Sequence, residues 1–266
     1  MLKGLIIGCG SIGERHLYNL KKLGIRNIAI HDMDATKMNL LAKKYKVKKF
    51  DSLEVAIENS NFSIICTPSD SHMNITRKCI NSGLHTFIEK PISNNINGVE
   101  KLLKYADRNN LNVSTGYNMR FDKSLNFIRH GLQKKSCGNI LSVFCQWGNN
   151  ISKWNHPNYL NHYILKKDGG IIFDASHEYD YLRWLIDDKV ISVYCKTQKV
   201  KNIKTQSESL ASIILEFRNG VIGTIIIDYV RPSYERTCHI IGDSGGMKWR
   251  FTRPNIKKQD YETKIF

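Results

Sequence analysis

No stretch of the 266 residues approaches the roughly 20 apolar residues that a membrane-spanning helix requires. The opening "MLKGLIIGCGSIG" has a short apolar run that glycines interrupt, too short for the core of a signal peptide. A cytoplasmic protein with no membrane partner is therefore expected. The seven cysteines, at 9, 66, 79, 137, 145, 195 and 238, include no Cys-x-x-Cys pair. Neither a zinc site nor a disulfide framework is suggested, and reduced thiols with no metal are the expectation. Internal repeats and low-complexity tracts are also missing. Acidic residues are scarce, 24 against 40 lysines and arginines, which leaves a formal charge of +16. Such a balance can signal phosphate neutralisation along nucleic acid. Here the basic residues are scattered through segments such as "KKYKVKK" and "LQKKS", with no basic arm. Nucleic acid is not the expected partner, and attraction for phosphorylated small molecules or a lysine-rich source proteome is the simpler account of the charge.

What is present is enough for real cores: 41% hydrophobic residues, with four Trp, ten Phe and twelve Tyr. Through about residue 118, strand runs ("GLIIG", "NIAIHD", "FSIICTP", "HTFIEKP", "LNVSTGYN") alternate with helical stretches. That rhythm indicates βαβ units and a parallel sheet covered by helices. From 119 to 266 the rhythm changes to one helix ("KSLNFIRHGLQK") and a series of strand-like runs, with "RNG" as a hairpin turn. The fold class expected is an α/β Rossmann domain over 1–118, followed by an α+β domain over 119–266 with a largely antiparallel open sheet.

Gly8, Gly10 and Gly13 form G-x-G-x-x-G between the first strand and the first helix. The first glycine allows the tight turn, the second lets backbone approach a pyrophosphate, and the third permits close helix–strand packing. Ser11, Ile12 and Gly13 then begin a helix whose free N–H groups suit phosphate. Asp32 ends the second strand, where a carboxylate can accept from ribose hydroxyls and repel a 2′-phosphate. NAD is the expected cofactor, with NADP left open by the nearby Lys37. The stretch "IIFDASHEYDYLRWL" (171–185) reads as a buried strand or loop running into an amphipathic helix, with Leu182 and Leu185 toward a core.

Taken in order, "GCGSIGERHLYNL", "CTPSDSH", "FIEKP", "GYNMRF" and "GGIIFDASHEYDYLRWL" resemble the Gfo/Idh/MocA family of NAD(P)-dependent oxidoreductases over roughly residues 1–250. The resemblance implies hydride transfer between nicotinamide and a hydroxyl or carbonyl of a sugar, polyol or nucleotide-linked sugar. It also implies that the open sheet of the second domain serves in homo-oligomerisation. Glu89-Lys90-Pro91 looks like the family's EKP motif, whose lysine bonds the reacting substrate oxygen. Thr67, Pro68 and His72 resemble its cofactor loop. Asn118 and Arg120 fall in the turn that leads into the substrate domain, with Arg120 either structural or in contact with substrate. Asp174 and His177 resemble the aspartate and histidine lining the substrate cavity, the histidine as general acid/base. The three-residue spacing of that pair departs from the four seen in inositol dehydrogenases, although both spacings share a helix face. Glu178 and Asp180 are expected on a solvated face or in a salt bridge that joins the two domains. The Ser176-His177-Glu178-x-Asp180 form resembles a subgroup associated with surface-polysaccharide or sugar biosynthesis. Members usually run some tens of residues further, into a helical segment expected to be missing here. Redox-neutral glycoside cleavage with bound NAD and a noncatalytic dinucleotide-binding role are the alternatives that the resemblance leaves.

Overall fold

The computed structural model describes residues 2–151, 165–166, 169–201, 203–252 and 260–265. The chain divides into two compact units, Met1–Gly116 and Tyr117–Phe266.

In the first unit strands β1 (Gly4–Ile7), β2 (Ile28–His31), β3 (Lys48–Lys49), β4 (Phe62–Ile65), β5 (His85–Ile88) and β6 (Val113–Thr115) alternate with helices. The helices are α1 (Ser11–Lys22), α2 (Ala35–Tyr45), α3 (Leu53–Glu58), α4 (Ser69–Asn81) and α5 (Val99–Arg108). All strand pairings are parallel, in the order β3-β2-β1-β4-β5-β6. Because the strands are buried on both faces, they read as continuous apolar runs: Leu5, Ile6 and Ile7 are all buried. Ile6 joins Leu17, Ile30, Met38 and Leu41 on one face, while Ile7 joins Ile57, Ile65, Cys79 and Ile88 on the other. The order reverses between β1 and β4. Open α/β sheets bind ligands at such a switch point, beyond the carboxyl ends of the strands.

The second unit holds α6 (Lys123–Gln133), α7 (Ile171–Asp174) and α8 (Ser176–Ile186). Its strands are β7 (Ile140–Asn150), β8 (Val190–Gln198), β9 (Leu210–Phe217), β10 (Ile222–Asp228), β11 (Val230–Gly242), β12 (Gly245–Thr252) and β13 (Asp260–Ile265). They form one sheet in the order β13-β12-β11-β7-β10-β9-β8. Only the pairing of β7 with β10 is parallel; the other pairs are antiparallel, as the sequence implied. Period-two alternation places Val143, Cys145, Ile213, Leu215, Ile225 and Ile240 in a core with Tyr181, Leu182 and Leu185 of α8. The hairpin over "RNG" joins β9 to β10, with Gly220 at φ +85°.

Two expectations change. The stretch 171–174 is a single helical turn instead of a strand or loop: the N–H groups of Ile171 and Ile172 donate to the carbonyl and carboxylate oxygens of Glu208, 3.2 Å each. A distant residue thus supplies the acceptors that local sequence lacks. Glu178 is not on a solvated face, and its ion pair with Arg236 lies within the second unit. The glutamate is fully buried and accepts from Arg236 at 2.7 Å (Nε to Oε1) and 3.2 Å (Nη2 to Oε2).

Candidate active site

The nucleotide end is built where β1 meets α1. Gly8 takes φ +102°, and a Cβ there would lie 2.8 Å from the Cys66 carbonyl, so only glycine fits. At Gly13 a Cβ would fall 1.9 Å from the Gly8 carbonyl oxygen, the close approach of helix to strand. Gly10 instead faces open space, with nothing within 4 Å of its ideal Cβ. The first N–H groups of α1, on Ser11, Ile12 and Gly13, have no acceptor one turn earlier in the helix. An open cradle with helix N–H groups at its edge fits a pyrophosphate.

Asp32 closes the cradle from β2. Its Oδ2 accepts from the Cys9 N–H at 2.5 Å and its Oδ1 from the Asp34 N–H at 2.8 Å, and both oxygens retain lone pairs for ribose hydroxyls. Asp34 is the N-cap of α2, accepting from the N–H groups of Thr36 and Lys37. The ammonium of Lys37 sits 3.1 Å from Asp34. The cation that left NADP open is therefore engaged by a neighbouring carboxylate. Burial and the nearby acids Asp32 and Asp34 push the Cys9 thiol up to about 12, so it stays protonated.

Past β4, Thr67 and Pro68 lead into α4, and Ser71 Oγ binds the Thr67 hydroxyl and the Pro68 carbonyl, 2.7 Å each. His72 is buried, with Nδ1 2.8 Å from the Pro91 carbonyl oxygen and Nε2 2.8 Å from that of Thr67. Both ring nitrogens thus face main-chain carbonyl oxygens, and a neutral imidazole donates to one of them. Burial draws this imidazole below its ordinary value, opposed by the two carbonyl contacts and by Glu89 and Asp70. Past β5, Glu89 faces His16 of α1 at 2.7 Å, and Lys90 is half-buried before a cis peptide to Pro91. The first unit therefore gathers Gly8, Gly10, Gly13, Thr67, Pro68, Glu89 and Lys90 at the carboxyl ends of three adjacent strands.

In the second unit Asn118 and Arg120 lie on a 3₁₀ turn, Asn118–Phe121. Arg120 forks onto Asp180 of α8, Nε to Oδ2 at 2.8 Å and Nη2 to Oδ1 at 2.6 Å. Asp174 and His177 are separated by a break at Ala175, so they do not share one continuous helix as their spacing suggested. Asp174 accepts from the Tyr229 hydroxyl at 3.2 Å, and the His177 ring meets Tyr117 edge-on, centroids 5.8 Å apart. Burial pushes the Tyr117 hydroxyl up, keeping it protonated. Tyr117, Tyr229 and His16 were not singled out from sequence. His16 and Tyr117 sit inside the quoted motifs beside Gly13 and Asn118, which is the signal that was available. Tyr229 carries none, because it reaches Asp174 across the fold.

Residues 2–117 match the family described as an oxidoreductase family with an NAD-binding Rossmann fold. Residues 126–248 match the GFO/IDH/MocA C-terminal domain. The chain belongs to the Gfo/Idh/MocA oxidoreductases. It is an NAD-binding enzyme of the dehydrogenase type, acting on CH–OH groups. Among its relatives, a myo-inositol 2-dehydrogenase of Thermotoga maritima is 24% identical over 253 residues, 90% of this chain and 72% of that protein. An inositol 2-dehydrogenase/D-chiro-inositol 3-dehydrogenase of Halalkalibacterium halodurans is 27% identical, covering 90% and 69%. The WlbA dehydrogenase of Chromobacterium violaceum, solved with NADH and UDP-GlcNAcA, shares the fold at TM-score 0.84 and 21% identity, over 96% of this chain and 79% of that one. Among the described residues no helix is long and apolar enough to cross a membrane.

Proposed function

We propose that the protein moves a hydride between NAD and a hydroxyl-bearing or carbonyl carbon of a sugar, polyol or nucleotide sugar. The supporting observation is the placing of Lys90 at the carboxyl end of β5, beside the glycine cradle at the β1/β4 switch point. Bound NAD would supply the hydride acceptor or donor; Gly10, the α1 N-terminus and Asp32 would hold it. The Lys90 ammonium would stabilise charge on the reacting oxygen and give it a proton from Nζ in reduction, and the neutral amine would take that proton back in oxidation. His177 of the second unit would serve as a general acid/base, and Asp174, fixed by Tyr229, would orient substrate. Arg120, spent on Asp180, shapes the turn that presents Asn118 to substrate.

Within this class a nucleotide sugar suits the chain's surplus of positive charge, and UDP-GlcNAcA is bound by a protein of the same fold. A role in surface-polysaccharide biosynthesis follows from that preference. The enzyme would assemble as a homo-oligomer through the sheet face turned away from the helices, where Ile214, Ile222 and Ile241 are about half exposed. The deciding experiment follows nicotinamide absorbance against myo-inositol and UDP-GlcNAcA, with wild type and Lys90→Ala. Turnover by wild type, reduced by about 10²–10⁴-fold in the variant, is expected. A Lys90→Ala enzyme as fast as wild type would remove the assignment.

A further inference from the structure

Lys90 is held on both flanks by histidines from different helices. On its amino side, His16 Nε2 of α1 lies 2.7 Å from Oε1 of Glu89, and the His16 ring packs edge-on to Phe87 with centroids 5.3 Å apart. The other Glu89 oxygen faces the Lys90 N–H at 3.3 Å. Gly116, just past β6, completes this seat, because a Cβ there would stand 3.1 Å from the Glu89 carboxylate. The His16 and Glu89 side chains are only 22% and 20% exposed, so water competes weakly for their contact. On its carboxyl side, Pro91 is tied through its carbonyl oxygen to His72 Nδ1 of α4, whose Nε2 faces the Thr67 carbonyl.

We propose that His16 and His72 are positioning residues, a two-point clamp that fixes the Glu89-Lys90-Pro91 segment to the nucleotide cradle. The inference rests on the reading of Lys90 as the residue that meets the reacting oxygen. α1 carries the phosphate-facing N–H groups at its start and His16 a turn later. α4 begins at the Thr67-Pro68 loop and carries His72 in its first turn. Each helix that edges the cradle thus also grips one neighbour of the lysine. Neither histidine touches the reacting atoms. Their effect is on where the ammonium stands, and a displacement of about 1 Å in such a group can cost about a hundredfold in rate.

The test reads the lysine itself and needs no substrate. The NAD-free protein is labelled with trace acetic anhydride, and peptide mass spectrometry compares Lys90 with Lys37 and Lys78 in the same sample. His16→Phe and His72→Phe keep an aromatic ring but lose the donor. His16→Gln and His72→Asn keep an amide N–H near the lost nitrogen. We expect the Phe variants to change the Lys90 rate severalfold against the two reference lysines, and the amide variants to restore it. Folded Phe variants, matched to wild type in thermal unfolding, that label Lys90 at the wild-type rate would overturn the clamp. Imidazole ¹⁵N NMR of the wild-type protein supplies a second check that no folding defect can blunt. His16 Nε2 and His72 Nδ1 must each carry a proton to donate to their carboxylate and carbonyl acceptors, and a bare nitrogen at either position overturns the proposal. A labelling change together with full turnover in Lys90→Ala would instead leave the clamp standing and remove the catalytic reading.

Discussion

At the scale of single residues, the site depends on a few atoms with no room to shift. Gly13→Ala drives a methyl into the Gly8 carbonyl. Overpacking of this kind costs about 1–3 kcal/mol, and we expect a lower midpoint in thermal unfolding together with weakened NADH binding. Asp32→Ala removes the carboxylate proposed to accept from the ribose and leaves the Cys9 and Asp34 N–H groups without it. NADH affinity should fall by about 1.5–3 kcal/mol, and NADPH affinity by less, as read by nicotinamide fluorescence titration. Glu54 provides a pH-dependent case, its carboxyl drawn from 4.5 down to about 2 chiefly by the Lys78 ammonium, 2.8 Å away. A carboxyl depressed in the folded state adds stability above its ordinary value and loses it as pH falls toward the folded one. Urea unfolding between those two pH values should therefore be less steep in pH for Glu54→Gln than for wild type.

At the scale of elements, α8 is the member whose burial most exceeds what its sequence suggests. Glu178→Ala removes the carboxylate that pairs with the buried Arg236 guanidinium. Breaking a buried pair in this way typically costs about 3–5 kcal/mol. Replacing both partners, as Glu178→Leu with Arg236→Met, should recover much of that loss in urea unfolding. If the single variant is as stable as wild type, the ion pair does not hold the helix to the sheet. The same helix shows what sequence could and could not convey. Leu182 and Leu185 were legible as core because their spacing follows the helical repeat. The strand rhythm and the glycine turn were legible for the same reason, each being a local pattern, whereas Glu89-Lys90-Pro91 stood out only through the family resemblance. The partners of Glu178, Asp174 and Glu89 lie 58, 55 and 73 residues away, and a pairing over such separations leaves no periodic trace. α7 escaped notice likewise, since Glu208, which caps it, is 36 residues further on.

At the scale of the whole molecule, the sheet of the second unit carries half-exposed isoleucines on one face. Ile222 pairs with Ser142 on one side and Glu216 on the other, so an apolar side chain stands in the middle of a half-exposed face. Ile222→Glu should shift the molar mass measured by light scattering toward the single chain, with thermal unfolding little changed. A wild-type protein that runs as a single chain at all concentrations would remove the assembly proposed for that face. The central strand of this sheet has a further consequence. β7 finds its neighbours only in β10 and β11, and Cys145 meets Cys238 across 93 residues of chain. On the ribosome, the first unit is complete, with every strand paired, before β7 has any strand to lie against. The second unit must keep an apolar strand waiting until β10 and β11 have been made, and that interval is when the nascent protein is most exposed to chaperones and to misassociation.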